Sequence, residues 1–168
     1  MKYCVLLCGD DVDQNVVKAA SGALAMLTSA SNKVCKKVFD SKQWNDCLLN
    51  LLASTDVEIC LRGCVIVQNM VASCKETAEK VLETQIMEVL QALVVKANLD
   101  SGSASPNPVL VKVKNICEHT LEEAHKMNIV RTQQEAVIAE EDEEDDIEPW
   151  MKAPTAGGGE LPALEDGQ

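Results

Sequence analysis

Aromatic side chains are nearly missing: two Trp, one Tyr and one Phe serve a chain of 168 residues. A packed interior must then be built from aliphatic residues and cysteine, because the bulk that aromatic rings usually bring to a core is not there. Alternation of apolar and polar residues at period two is also scarce, which argues against β-sheet and for an all-helical domain. Nowhere do the roughly 18 consecutive apolar residues of a transmembrane helix occur, so no membrane contact is expected. The short apolar run within Met1 to Cys8 is smaller than the core of a secretory signal and is followed at once by Asp10 and Asp11, so no signal peptide is read.

Catalytic motifs are lacking as well. No Gly-rich phosphate loop and no nucleophile elbow occurs. His119 and His125, the two histidines, are six apart on one helical stretch and face largely different ways. Cys117 has no identifiable third group to make a Cys–His nucleophile of it. The expectation is a protein that is not an enzyme and needs no cofactor or metal.

Basic patches are missing despite the number of charges. The formal charge is −12, but it is concentrated: Thr132 onward has twelve acidic residues and one base, Lys152, whereas Met1 to Arg131 has fifteen acids and fourteen bases. A near-neutral body with an acidic tail opposes phosphate contacts, so nucleic-acid binding is not expected.

Cysteine, by contrast, is abundant. The eight cysteines lack disulfide-scaffold spacing and sit mostly at apolar helical positions, which suits reduced thiols in a cytoplasmic protein. Cys4 with Cys8, and Cys60 with Cys64, are each four apart and could form half a zinc site. No second pair matches them, and Cys packs readily as a small apolar group.

The organising stretch is Thr55 to Ser73. Apolar or small residues recur at Ile59, Gly63, Ile66, Val67, Met70 and Val71, a helical period, while Cys60, Cys64 and Val65 make the adjoining face apolar too. Such a helix needs neighbours on several sides. Thr55 with Glu58, and Ser73 with Glu76, predict capping boxes for this helix and the next.

The pattern has copies. Moving back 43 residues sets Val16 under Ile59, Ala20 under Gly63, Ala23 under Ile66, Leu24 under Val67 and Leu27 under Met70; Val38-Phe39 likewise fall under Val81-Leu82, and Leu49 and Leu52 under Ala92 and Val95. At an offset of 50, Val109, Val113, Ile116, Cys117 and Thr120 fall under Ile59, Gly63, Ile66, Val67 and Met70, with Ser101 to Ser105 as the inserted loop. A period of about 40 to 47 built from two or three helices is that of armadillo or HEAT arrays. The expected fold is therefore an all-α, right-handed armadillo/HEAT-like solenoid of about two and a half repeats. Its helices are predicted at Asp13–Ser29, Asn32–Phe39, Lys42–Ala53, Thr55–Ser73, Lys75–Leu82, Gln85–Lys96 and Pro106–Met127, preceded by a helix tail at Tyr3–Cys8.

Residues 1–131 form the predicted helical domain. Residues 132–168, with the acidic run Glu140 to Asp146 and later Pro and Gly residues, are predicted to be a disordered tail. The chain reads as a fragment or truncated isoform of a longer protein. Val5, Leu6, Leu7, Val16, Val17 and Leu24 are expected to leave an apolar N-terminal face open to self-association.

In an armadillo array the third helices line a groove. Asn69 sits where such repeats often place an asparagine whose amide holds an extended peptide backbone. Its equivalents are Met26 and His119. Arg62 and the equivalent Lys112 would add positive charge. Where peptide-binding importin-like arrays carry tryptophan, this chain has Gly22, Val65 and Asn115, which argues against a receptor for basic localisation signals. In the tail, Trp150 within an acidic setting resembles a short docking motif.

Lys18 to Thr28, KAASGALAMLT, with Leu61-Arg62-Gly63, Val65-Ile66 and Asn69-Met70, resembles the last armadillo repeats of the UCS domain in myosin-directed chaperones of animals. The resemblance covers Gly9 to Val130 and rests on register as well as composition. It implies binding and folding of a myosin motor domain through the groove, with a ninety-kilodalton heat-shock chaperone recruited by a separate N-terminal tetratricopeptide domain that this chain does not contain. The competing expectation is a general armadillo scaffold with no chaperone activity.

Overall fold

The computed structural model describes residues 1–9, 12–102 and 107–145. Among the described residues eight helices follow one another: α1 Lys2–Leu6, α2 Gln14–Ala30, α3 Asn32–Val38, α4 Trp44–Ala53, α5 Val57–Ser73, α6 Lys75–Leu82, α7 Ile86–Ser101 and α8 Pro108–Asp145. No strand occurs among the described residues. The chain divides into two units, Met1–Val130 and Arg131–Gln168.

In the first unit, α3–α4–α5 and α6–α7–α8 are two copies of a short, a middle and a long helix, and α1–α2 supply the end of a third. This is the armadillo-type solenoid anticipated from the offsets of 43 and 50 residues. Helix α5 packs against α2, α3, α4 and α6, and α4 also packs against α7. Enclosure from several sides explains why α5 buries Ile59, Cys60, Gly63, Cys64, Ile66, Val67, Met70 and Val71, eight of its 17 residues. The equivalents Ala20, Ser21, Leu24 and Thr28 on α2 are buried, as are Val113, Cys117 and Thr120 on α8.

Gly63 marks the closest approach. A Cβ built on it would lie 3.0 Å from Leu51 Cβ and 3.3 Å from the backbone of Leu51 and Leu52, so α4 crosses α5 almost in backbone contact. Two of the few aromatic residues meet against this core: the Phe39 and Trp44 rings are 4.6 Å apart edge to face, and Lys80 Nζ lies 5.3 Å from the Phe39 ring centre.

The helix starts differ from the capping boxes read in the sequence. Helix α5 is capped by Asp56, whose carboxylate accepts the backbone N–H of Glu58 at 2.8 Å and of Ile59 at 3.4 Å. A carboxylate one residue nearer the first turn outcompetes the Thr55 hydroxyl, and its charge also complements the helix N-terminus. Helix α6 has Cys74 at its cap position with no side-chain cap. Ser73 points elsewhere: its hydroxyl donates to Met70 O and lies 2.6 Å from Thr77 Oγ1.

Helix α7 runs five residues past the predicted Lys96. The backbone of α8 is helical through Asp145, beyond the composition change at Arg131. Ala, Glu and Gln are strong helix formers, and Thr132 to Asp145 is rich in them. Trp150 and the rest of 146–168 lie outside the described residues.

The end of the array is only partly open. Val5 and Leu24, expected on the uncovered face, are buried, because α1 packs onto α2, α3 and α4. Leu6, Leu7 and Val16 are exposed as expected.

Candidate functional site

The three long helices form a row, α2 beside α5 beside α8, and polar side chains stitch its seams. At one end of the α2–α5 seam, Lys18 Nζ lies 3.3 Å from Asp56 Oδ2 and 2.7 Å from Glu58 Oε2. The Asp56 carboxyl is held below its ordinary range, first by the backbone N–H of Glu58, with Lys18 assisting. Lys18 holds the Glu58 carboxyl down in turn, and the two carboxylates raise Lys18.

One turn along, Arg62 donates through Nη1 to the Lys18 carbonyl and lies over Gly22, with Nη2 3.8 Å from Glu58. Further on, Asn69 Nδ2 donates to Thr28 Oγ1 at 3.1 Å and reaches Ala25 O at 3.5 Å. Just beyond α2, Asn32 at the start of α3 donates through Nδ2 to Ser73 O at 2.9 Å.

The α5–α8 seam is held by Gln68, which donates its amide N–H to His119 Nδ1 at 3.2 Å, and by a buried contact of 3.6 Å between Cys64 Sγ and Cys117 Sγ. The Cys64 thiol is pushed far up by its contacts with Cys117 and Cys60 and by burial. It is held in the neutral form, as suits an apolar packing group. Six of the eight cysteines are buried, and no group of three or more metal-ligating side chains occurs among the described residues.

The structure thus separates the five groove residues singled out in the sequence. Arg62 and Asn69 turn their donors into the α2–α5 seam, with the Arg62 side chain 30% exposed. Met26 stands out from α2 at 76% exposure. Lys112 and His119 are exposed on α8, His119 tied to Gln68. Sequence reasoning missed Lys18 and Gln68, whose partners lie 38 and 51 residues away; the 43-residue offset, which aligns copies of a helix, gives no hint of which side chains meet across a seam.

What the row can do chemically is bind. It offers a thioether on α2 and an imidazole and an ammonium on α8. No helix among the described residues is long and apolar enough to cross a membrane.

No protein-family model matches the chain. In sequence it is 36% identical over 100 residues to protein unc-45 homolog B of Xenopus laevis, covering 59% of this chain and 11% of that protein. Against protein unc-45 homolog B of Homo sapiens it is 42% identical over 91 residues, 54% of this chain and 10% of the relative. The fold agrees: UNC-45 from Drosophila melanogaster superposes with a TM-score of 0.64 at 34% identity over 76% of this chain and 15% of that one. The chain is homologous to UNC-45.

The chain spans about a tenth of the length of the UNC-45 relatives it matches in sequence. What it shares with that UNC-45 structure is the helical solenoid described above.

Proposed function

We propose that this chain is a protein-interaction module of the kind found at the C-terminal end of the UCS domain, and that its α2–α5–α8 row holds non-native segments of a myosin motor domain. The observation that carries this reading is the homology to UNC-45, which extends over 59% of this chain in sequence and 76% in structure. Met26 supports it: an unbranched, polarizable side chain on an open surface adapts to varied apolar partners, which suits a chaperone that must bind segments of different shape. Lys112 and His119 on α8 supply polar contacts at the other side of the row.

Work on such a client belongs to the cytoplasm. Recruitment of a ninety-kilodalton heat-shock chaperone we assign to a tetratricopeptide domain and not to this array.

A second reading is a general armadillo adaptor with no chaperone activity. It is favoured by Arg62 and Asn69, whose donors are spent within the array and so are not offered to an extended peptide. Heating a myosin motor domain with the chain separates the two. The chaperone reading predicts that near-equimolar chain lowers light scattering and that Met26→Asp abolishes the effect with the melting temperature unchanged. Undiminished scattering with the parent chain leaves the adaptor.

A further inference from the structure

Two of the buried thiols are spent on backbone carbonyls: Cys35 Sγ donates to Thr28 O and Cys60 Sγ to Leu52 O, both at 3.4 Å. Cys64 on α5 meets a second thiol instead. Its Sγ lies 3.6 Å from Cys117 Sγ on α8, 53 residues along the chain, and both side chains are buried. Cys60 also touches Cys64, but it stands four residues earlier on the same helix. Cβ atoms at that spacing are about 5 to 6 Å apart, whereas a disulfide spans about 3.5 to 4.5 Å. Of these two neighbours, Cys117 is the one to which Cys64 can bond.

We propose that Cys64 and Cys117 are an oxidisable pair, which peroxide couples into a disulfide that locks the long helix of one copy, α5, to that of the next, α8. Hydrogen peroxide oxidises either thiol to a sulfenic acid: the O–O bond breaks, one oxygen stays on sulfur and the other leaves as water. The facing sulfur then displaces the sulfenic hydroxyl, which departs with the second thiol's proton as another water. An S–S bond has replaced two S–H bonds, and two electrons have passed from the sulfurs to one peroxide.

The packed core selects this product. Alkylation or further oxygenation adds atoms to a space already filled, whereas coupling adds none and draws the touching sulfurs to about 2.0 Å. Its contacts with Cys117 and Cys60, and burial, push the Cys64 thiol up. Reaction is therefore slow and waits on a local opening of the α5–α8 seam wide enough for peroxide. The lock answers sustained oxidant and not a brief pulse. A link across 53 residues also restricts the unfolded chain, which stabilises the array. It needs no client, so it stands or falls independently of the proposed function.

Prolonged exposure of the folded full chain to dilute hydrogen peroxide tests this, with remaining thiols then alkylated in urea and tryptic peptides mapped without reductant. Peptides 63–75 and 115–126 should appear joined and lighter than their sum by two hydrogens, with fragmentation placing the link at Cys64 and not at Cys74. The oxidised chain should melt about 5 to 10 °C above the reduced one, and dithiothreitol should remove the gain. Cys117→Ala should show neither the joined peptides nor the gain; if it loses helical signal in far-UV dichroism, Cys64→Ala replaces it. Peptides that stay separate in the folded chain, that join only when peroxide is added in urea, or that join through Cys74 would each overturn the inference, as would a linked chain that melts no higher.

Discussion

At Gly63 a hydrogen atom does what no other side chain can, because Leu51 Cβ would sit 3.0 Å from any Cβ placed there. Gly63→Leu should overpack the α4–α5 crossing and cost about 1 to 3 kcal/mol, read as a lower midpoint in thermal or urea unfolding. Gly22 is the contrast: its added Cβ meets only the Arg62 guanidinium at 3.5 Å, an ordinary contact. Gly22→Ala in mid-helix should be neutral or stabilise by up to about 1 kcal/mol. Both glycines look alike in the sequence, and the repeat register distinguished only Gly63. Cysteines divide in the same way. Cys74 is partly exposed, and the Thr77 hydroxyl beside it lowers its thiol. Native alkylation followed by mass spectrometry should label Cys74 and the partly exposed Cys4 first, while Cys60, Cys64 and Cys117 react only on unfolding; early labelling of Cys64 would contradict its place in the core.

Helix α5 was legible because its period, its small residue at Gly63 and its copies at 43 and 50 residues all agree. Its cap was not, since Thr55 and Asp56 both suit an N-cap and only backbone geometry chooses between them. The α2–α5 seam was hidden for a different reason: Asn69 reads equally well as a groove ligand or as a stitch to the neighbouring helix, and the choice depends on where Thr28 comes to lie. Asn69→Ala removes that stitch and should cost roughly 1 kcal/mol of stability. At the other end of the seam the charges give a pH signature. Asp56 and Glu58 are depressed in the folded chain, so their stabilisation is present above the unfolded carboxylate pKa of about 4 and is lost as pH falls through the lower folded values. The difference in melting temperature between parent and Glu58→Gln should therefore be largest near neutrality and close between about pH 5 and pH 3. A difference that stays constant over that range would show that the Lys18 pairing adds nothing.

For the molecule as a whole, the fold was readable from repetition, because each unit must bury its apolar face on the next and so writes the same pattern again. The proposed function rests on resemblance alone. Neither composition nor spacing told Met26, 76% exposed, from Asn69, which the array uses internally, although the two are register equivalents. In the proposed function the row of long helices is where a myosin motor domain is held. A photo-crosslinking residue placed at Met26 on α2, at Lys112 on α8, or at the exposed Gln91 on α7 reads this directly, with a thermally destabilised motor domain as the partner. Crosslinks should form from Met26 and Lys112 and not from Gln91; crosslinks from Gln91 alone, or from none of the three, would contradict it.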